Sequence, residues 1–213
     1  MRKPLVALAV LGLTLVAQRP AQAVTYGEPQ PWERPHFING SLGFSGFGTI
    51  MAGQNGGVEY VKSGGGIGLW LGLDIGRFVG VRIGYDVGFH NPINSCAPGA
   101  AFPCGTVFNG VDYLFLETVQ LDFKLRFPTG VRFSPYLIAG GIIGWIGRGG
   151  HLTDAIGGGF EAGAGFDIWV SRYFTIGVEA KYRGLAMSDF ATNQGSSTYL
   201  NLVQVGGNLA VRF

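Results

Sequence analysis

The sequence predicts an all-β fold, an eight-stranded antiparallel transmembrane β-barrel with short turns at one end and longer loops at the other. Three observations support this prediction. Segments of alternating hydropathy recur from about residue 36 to Phe213. Charged residues make up only 13% of the chain, against about 25% in average proteins, and 38 of the 213 residues are glycine. The connections between segments alternate between short and long, which is typical of outer-membrane barrels.

The first 23 residues have the pattern of a cleaved secretory signal peptide. Arg2 and Lys3 form a positive start, residues 5–17 are apolar, and Ala-Gln-Ala at 21–23 resembles a cleavage site. The Pro-rich, polar residues 24–35 are expected to form a periplasmic lead-in to a barrel over residues 36–213. An exported, weakly charged chain is therefore predicted.

Charge and hydropathy exclude two classes of protein. Removing Arg2, Lys3 and Arg19 from 15 basic residues leaves 12 against 13 acidic ones, a net charge near −1. Nucleic-acid binding therefore has no electrostatic support, and no nucleic-acid partner is expected. After the leader, no apolar run reaches about 18 residues, so helical spans are not expected and a barrel is the spanning structure that fits.

The first four segments alternate strictly. They cover about 36–48, 66–75, 78–89 and 118–127. In the third segment, FVGVRIGYDVGF, Arg82 and Asp86 share one face with glycines, whereas valine, isoleucine, tyrosine and phenylalanine occupy the other. In the fourth, VQLDFKLRF, every second residue is polar or charged. Each pattern predicts a strand with one apolar face.

The last four segments complete the barrel. They cover about 132–146, 160–169, 174–183 and 203–213. The fifth is less regular, because Ile138 and Ile142 share the nominally polar face with Tyr136. Short turns are predicted after segments two, four and six. Longer extracellular loops are predicted at about 47–63, 90–111, 147–155 and 184–197.

With one exception, the charged side chains between the turns share the glycine-containing face. In a bilayer this face must be the lumen, because each lysine or arginine on the lipid side costs about 2–4 kcal/mol at the midplane. Glycines there leave room for large polar side chains in a narrow barrel. A soluble, lipocalin-like barrel with an apolar interior is the competing interpretation. The predicted lumen charge network is Asp74, Arg82, Asp86, Asp122, Lys124, Arg126, Glu161, Asp167, Glu179, Lys181, Arg183 and Arg212.

Glu117 is the exception to this rule. It falls in phase with the lipid face of the fourth segment, ten residues before Phe127. We expect Glu117 either at the level of the lipid headgroups or beside a bulge that shifts the phase of the strand.

The alternating segments and the ending NLAVRF resemble the small outer-membrane β-barrel proteins of Gram-negative bacteria, of the OmpA/OmpX-like eight-stranded kind. SPYLIAGGIIGW (134–145) and FEAGAGFDIWVSRYFTIGVEAKYR (160–183) resemble the fifth to seventh strands of that family. The resemblance covers nearly all of 36–213 and implies an outer-membrane location among lipid and lipopolysaccharide. It also implies recognition by the barrel-assembly machinery through Leu209, Val211 and Phe213. Because the sequence stops at Phe213, the peptidoglycan-binding domain of full-length OmpA-type proteins is not expected.

Few residues indicate chemistry. Cys96 and Cys104 are expected to form a disulfide in an exported protein, and a metal or catalytic role is the lesser alternative. His90 with Ser95 and His151 with Asp154 are the nearest approaches to a catalytic arrangement, without defined spacing. No cofactor and no metal site are therefore predicted.

The predicted function is structural or surface-interacting, exerted through the extracellular loops of a barrel with a mostly filled polar lumen. A non-enzymatic role is expected. Two alternatives are a lipid A-modifying enzyme, which the family also contains, and a narrow channel of low conductance lined by the lumen charges. The ligand and the oligomeric state do not follow from the sequence.

Overall fold

The computed structural model describes residues 38–55, 61–92, 113–127, 129, 131–148, 155–188 and 197–213. These residues form a closed barrel of eight strands. The predicted signal peptide and lead-in lie outside the described residues, as do Ser95, Cys96, Cys104, His151 and Asp154. The strands are β1 (Ile38–Asn55), β2 (Val61–Ile75), β3 (Val79–Pro92), β4 (Leu114–Arg126), β5 (Phe133–Arg148), β6 (Ala155–Trp169), β7 (Phe174–Ser188) and β8 (Ser197–Arg212).

Every strand pairs antiparallel with the next strand along the chain, and β8 closes the barrel against β1. The closing pair runs from Ser41 opposite Arg212 to Asn55 opposite Tyr199, with a register shift between Met51 and Gly53. Closure leaves no strand edge unpaired, which is what a β-structure in lipid requires. The predicted fold class is therefore confirmed. We call the end where β1 begins and β8 ends the base, and the opposite end the top.

The connections at the base are short. Between β2 and β3 the chain reverses over residues 76–78, where Gly76 has a φ of 64°, a left-handed conformation that favours glycine. The predicted loop at 47–63 is wrong in its bounds, because β1 continues to Asn55 and β2 begins at Val61. Small and polar residues such as Thr49 and Gly64 remain paired across β1 and β2 there. The alternation of apolar residues weakens before the strand pairing ends.

The outer surface of the barrel is apolar. Leu121 and Phe123 are 52% and 62% exposed, whereas their neighbours Asp122 and Lys124 are buried. This arrangement is the reverse of a water-soluble sheet and is typical of a barrel whose wall faces lipid. Aromatic side chains are exposed near both ends, at the base Phe127, Tyr173 and Phe213, and toward the top Phe89, Phe160, Tyr182 and Tyr199. Among the described residues, no helix is long and apolar enough to cross a membrane.

Glycine makes room for large side chains in the lumen. A Cβ atom on Gly43 of β1 would lie 2.1 Å from the indole of Trp70, closer than any real contact. A Cβ atom on Gly46, in the same strand but on the outer face, would have nothing within 4 Å. Trp70 is buried and fills the space that Gly43 leaves.

We therefore expect Gly43→Ala to lower the free energy of unfolding by about 1–3 kcal/mol, because the indole must move out of its packed position. Gly46→Ala is the matched control and should change it by less than about 0.5 kcal/mol. Urea unfolding in lipid vesicles, followed by tryptophan fluorescence, measures both. Equal effects of the two substitutions would contradict the packing of Trp70 against β1.

Candidate functional site: the barrel lumen

The structure places all twelve charged residues of the predicted network on the lumen side of the wall. Eleven are buried, and Glu179 has a side chain only 11% exposed. They come from β2, β3, β4, β6, β7 and β8, and every one occupies an inward position of its strand. The charges are not spread evenly but form two clusters of ion pairs.

The middle cluster holds seven of the twelve charges. Arg82 of β3 donates to Asp122 of β4 at 2.9 Å and to Glu179 of β7 at 3.0 Å, so that one guanidinium ties three strands together. Lys181 lies 2.9 Å from Glu161 and 3.4 Å from Glu179. Three cations and four carboxylates give this cluster a formal net charge of −1. Its members are Arg82, Asp86, Asp122, Glu161, Glu179, Lys181 and Arg183.

Arg183 completes the middle cluster on the side toward the top. Its guanidinium donates to Glu161 at 2.7 Å and to Asp86 at 2.5 Å. It also donates to the side-chain oxygen of Gln120. Charge-assisted contacts of this kind, made in several directions at once, suit the planar guanidinium. The arrangement links β3, β4, β6 and β7 through buried side chains.

The base cluster holds the other five charges. Asp74 accepts from Arg126 and Arg212, each at 2.6 Å, and Asp167 accepts from Lys124 at 2.8 Å and Arg212 at 3.2 Å. Three cations against two carboxylates give it a net charge of +1. The guanidinium of Arg212 also lies 4.2 Å from the ring centroid of Trp169, a cation–π contact. Its members are Asp74, Lys124, Arg126, Asp167 and Arg212.

Tyr136 of β5 joins the two clusters. Its hydroxyl donates to Glu179 at 2.9 Å, and Lys124 Nζ lies 3.5 Å from its ring centroid. A Cβ atom on Gly165 would lie 2.6 Å from the tyrosine Oη, so the glycine makes room for the ring. The alternation places Tyr136 inside, but no sequence pattern identifies it as the link between clusters.

The lumen toward the top is mainly apolar, so the prediction of a polar lumen is wrong for this level of the barrel. Ile142 of β5 and Leu185 of β7 are buried and take inward positions above the charges. The sequence contains the signal, because Ile142 shares the face of Tyr136 and Leu185 follows Arg183 in phase. We call this the apolar layer, and it consists of Leu114, Leu116, Ile142, Ile146, Ala155, Leu185, Met187, Leu200 and Leu202, with Met51 packed against it.

Two small cavities lie beside these side chains. A cavity of about 20 Å³ lies beside Trp70, Arg82 and Gln204, which is room for about one water molecule. A second cavity, of about 50 Å³, lies at the base and is lined by Asn39, Asp74, Gly76, Arg77, Arg126, Trp169 and Arg212.

Glu117 lies on the outer face of β4, and no bulge moves it inward. The pairing of β3 with β4 runs in one register from Val79 opposite Leu125 to His90 opposite Leu114. The carboxylate accepts from Trp145 Nε1 at 2.9 Å and from the hydroxyl of Tyr85. Two aromatic donors therefore hold this charge in the outer wall, and of the two alternatives the bulge is wrong.

The other residues to which the sequence analysis gave a role are not brought together in one site within the described part of the chain. His90 is buried at an inward position of β3. Leu209, Val211 and Phe213 point outward and are 44%, 51% and 63% exposed. Within the described ranges, no three histidine, cysteine, aspartate or glutamate side chains are placed to hold a metal ion.

Comparisons with known proteins show the fold. No family model matches the sequence, and no curated protein matches it at a significant level. The outer membrane protein OprG from Pseudomonas aeruginosa is similar in structure, with a TM-score of 0.55, 12% identity, and coverage of 84% of this chain and 97% of OprG. Neisserial surface protein A gives a TM-score of 0.51, 12% identity, and coverage of 84% and 98%. This chain shares the eight-stranded architecture of such outer-membrane barrels.

Proposed function

We propose that this protein is an integral outer-membrane barrel that acts as a structural or surface-interacting component rather than as an open pore. The observation that carries the proposal is the filled lumen. From base to top, the base cluster, the middle cluster and the apolar layer occupy successive levels of the barrel. The wall is thus a rigid support, and interactions with external partners are assigned to the connections at the top.

The outer-membrane location is supported by the exposed apolar wall and by the architecture shared with OprG and Neisserial surface protein A. In this orientation the base faces the periplasm and the top faces the outside. Lipid and lipopolysaccharide then contact the wall. The outward-facing Leu209, Val211 and Phe213 are the residues through which the barrel-assembly machinery would recognise β8.

A channel is disfavoured by the pairing of the lumen charges. An ion crossing the barrel must separate contacts such as Arg183 to Asp86 and then pass the apolar layer, where it loses hydration without gaining a partner. Filled eight-stranded barrels are narrow enough for side chains to close them.

Planar-bilayer recording of the purified, folded protein tests the proposal. We expect no stable conductance steps, with a boiled and unboiled gel shift showing that the protein was folded. Porin-sized current from the folded protein would contradict the filled lumen. Lipid A mass spectra that differ between a deletion strain and the wild type would instead favour the enzymatic alternative.

A further inference from the structure

The cavity at the base has the composition of an anion site. Three arginines line it, Arg77 of the β2–β3 turn, Arg126 and Arg212, together with a single carboxylate, Asp74. Arg126 and Arg212 are buried and both donate to the same oxygen of Asp74 at 2.6 Å. The positive charge around the cavity therefore exceeds the negative charge of the one carboxylate that lines it.

The two buried guanidiniums have hydrogen-bonding capacity left. The Nε atoms of Arg126 and Arg212 are both buried and have no hydrogen-bond partner. A buried donor without a partner destabilises a fold, and it is more costly when it belongs to a charged group. The base cluster has a formal net charge of +1, and Arg77 lies at the rim of the same cavity. An anion in the cavity would offset this excess charge without reaching the enclosed Nε atoms.

We propose that this cavity binds one small oxyanion, a phosphate or carboxylate group, between Arg77, Arg126 and Arg212. Planar guanidinium groups recognise the oxygens of both anions with paired, charge-assisted hydrogen bonds. The volume of about 50 Å³ admits a group of a few heavy atoms and no large ligand. The rim is formed by the turn at 76–78, so the site opens toward the periplasm in the proposed orientation.

Two sources can supply the oxyanion. One is a free ion such as inorganic phosphate. The other is this chain, because Glu28 and Glu33 precede Ile38, the first residue of β1, by ten and five residues. Five to ten extended residues reach about 17–35 Å, which is enough to bring either carboxylate to the base. The experiment therefore compares the mature chain with the E28Q/E33Q variant.

The experiment follows the arginine Nε–Hε resonances of the folded, ¹⁵N-arginine-labelled mature chain in detergent micelles. Inorganic phosphate is titrated at constant ionic strength against chloride. We expect saturable shifts of the Arg126 and Arg212 signals in the mature chain if the ion is free. If the chain supplies the carboxylate, saturable shifts appear only in E28Q/E33Q. Unsaturable shifts equal to those of chloride in both proteins would overturn the proposal.

Arg77→Gln and Arg172→Gln separate a built site from general charge. Both remove one arginine from a turn at the base, but Arg172 does not line the cavity. Arg77→Gln should weaken phosphate binding about tenfold or more, in whichever protein binds it, whereas Arg172→Gln should leave it unchanged. Equal weakening by both would show that phosphate responds only to net charge, which would also overturn the proposal. A boiled and unboiled gel shift confirms that each variant is folded.

Discussion

Arg82→Ala should lower the free energy of unfolding by about 3–5 kcal/mol, because it removes the cation that holds two buried carboxylates. Asp122 loses its 2.9 Å contact, and among the described residues Glu179 keeps its contacts with Lys181 at 3.4 Å and with Tyr136. The three strands that Arg82 ties together, β3, β4 and β7, lose their common partner. We expect Arg82→Ala to destabilise the barrel more than Gly43→Ala or Leu121→Arg.

Urea unfolding in lipid vesicles measures the effect, with Arg172→Ala as the control. Arg172 is exposed in the β6–β7 turn, where its guanidinium lies 4.8 Å from the ring centroid of Tyr173. An exposed contact of this kind contributes about 0.5–1 kcal/mol, so the control should differ clearly from Arg82→Ala. The folded Arg82→Ala protein should still pass no porin-sized current, since the apolar layer remains. A large current would mean that the ion pairs alone close the lumen.

Leu121→Arg should lower stability by about 2–4 kcal/mol and reduce the amount of folded protein in the membrane. Leu121 lies in the central part of β4, is 52% exposed and faces outward, so an arginine there would be placed in hydrocarbon. Its sequence neighbour Asp122 carries a charge without this cost, because it faces the lumen and pairs with Arg82.

An arginine introduced near the membrane surface provides the control for Leu121→Arg. Val131 is 55% exposed in the connection between β4 and β5, and Val131→Arg should cost about 0–1 kcal/mol. Folded protein in the membrane fraction is measured by the gel shift between boiled and unboiled samples. If both substitutions reduced it equally, the outer face of β4 would not lie in a bilayer.

The wall of the barrel can be predicted from the sequence because apolar and polar residues alternate along its strands. In β3 and β4, apolar residues such as Ile83 and Leu121 alternate with charged ones such as Arg82 and Asp122, and a period of two specifies which residues share a face. The cost of a charge in lipid then specifies which face is the lumen. These two arguments predict that all twelve charges face the lumen, although they do not say which charges pair with each other.

The apolar layer could not be predicted in the same way. Around Leu114–Leu116 and Leu185–Met187 both faces of the strand are apolar, so the alternation that identifies the lumen is lost. The ion-pair partners of the lumen charges could not be predicted from the sequence either. Arg82 meets Glu179, 97 residues away, because the registers of several successive strand pairs bring them to one level. The spacing of residues in the sequence does not reveal the registers of these strand pairs, so it cannot predict which charges meet.

Accessibility of a nitroxide label at position 121 tests the central claim, that the apolar wall faces lipid around a filled lumen, most directly. The label is attached to Leu121→Cys in a chain whose Cys96 and Cys104 are replaced by serine, and the protein is folded into lipid vesicles. Relaxation by molecular oxygen, which concentrates in hydrocarbon, is compared with relaxation by a water-soluble nickel complex. We predict high accessibility to oxygen and low accessibility to nickel. High nickel and low oxygen accessibility would place this face in water and contradict the membrane barrel.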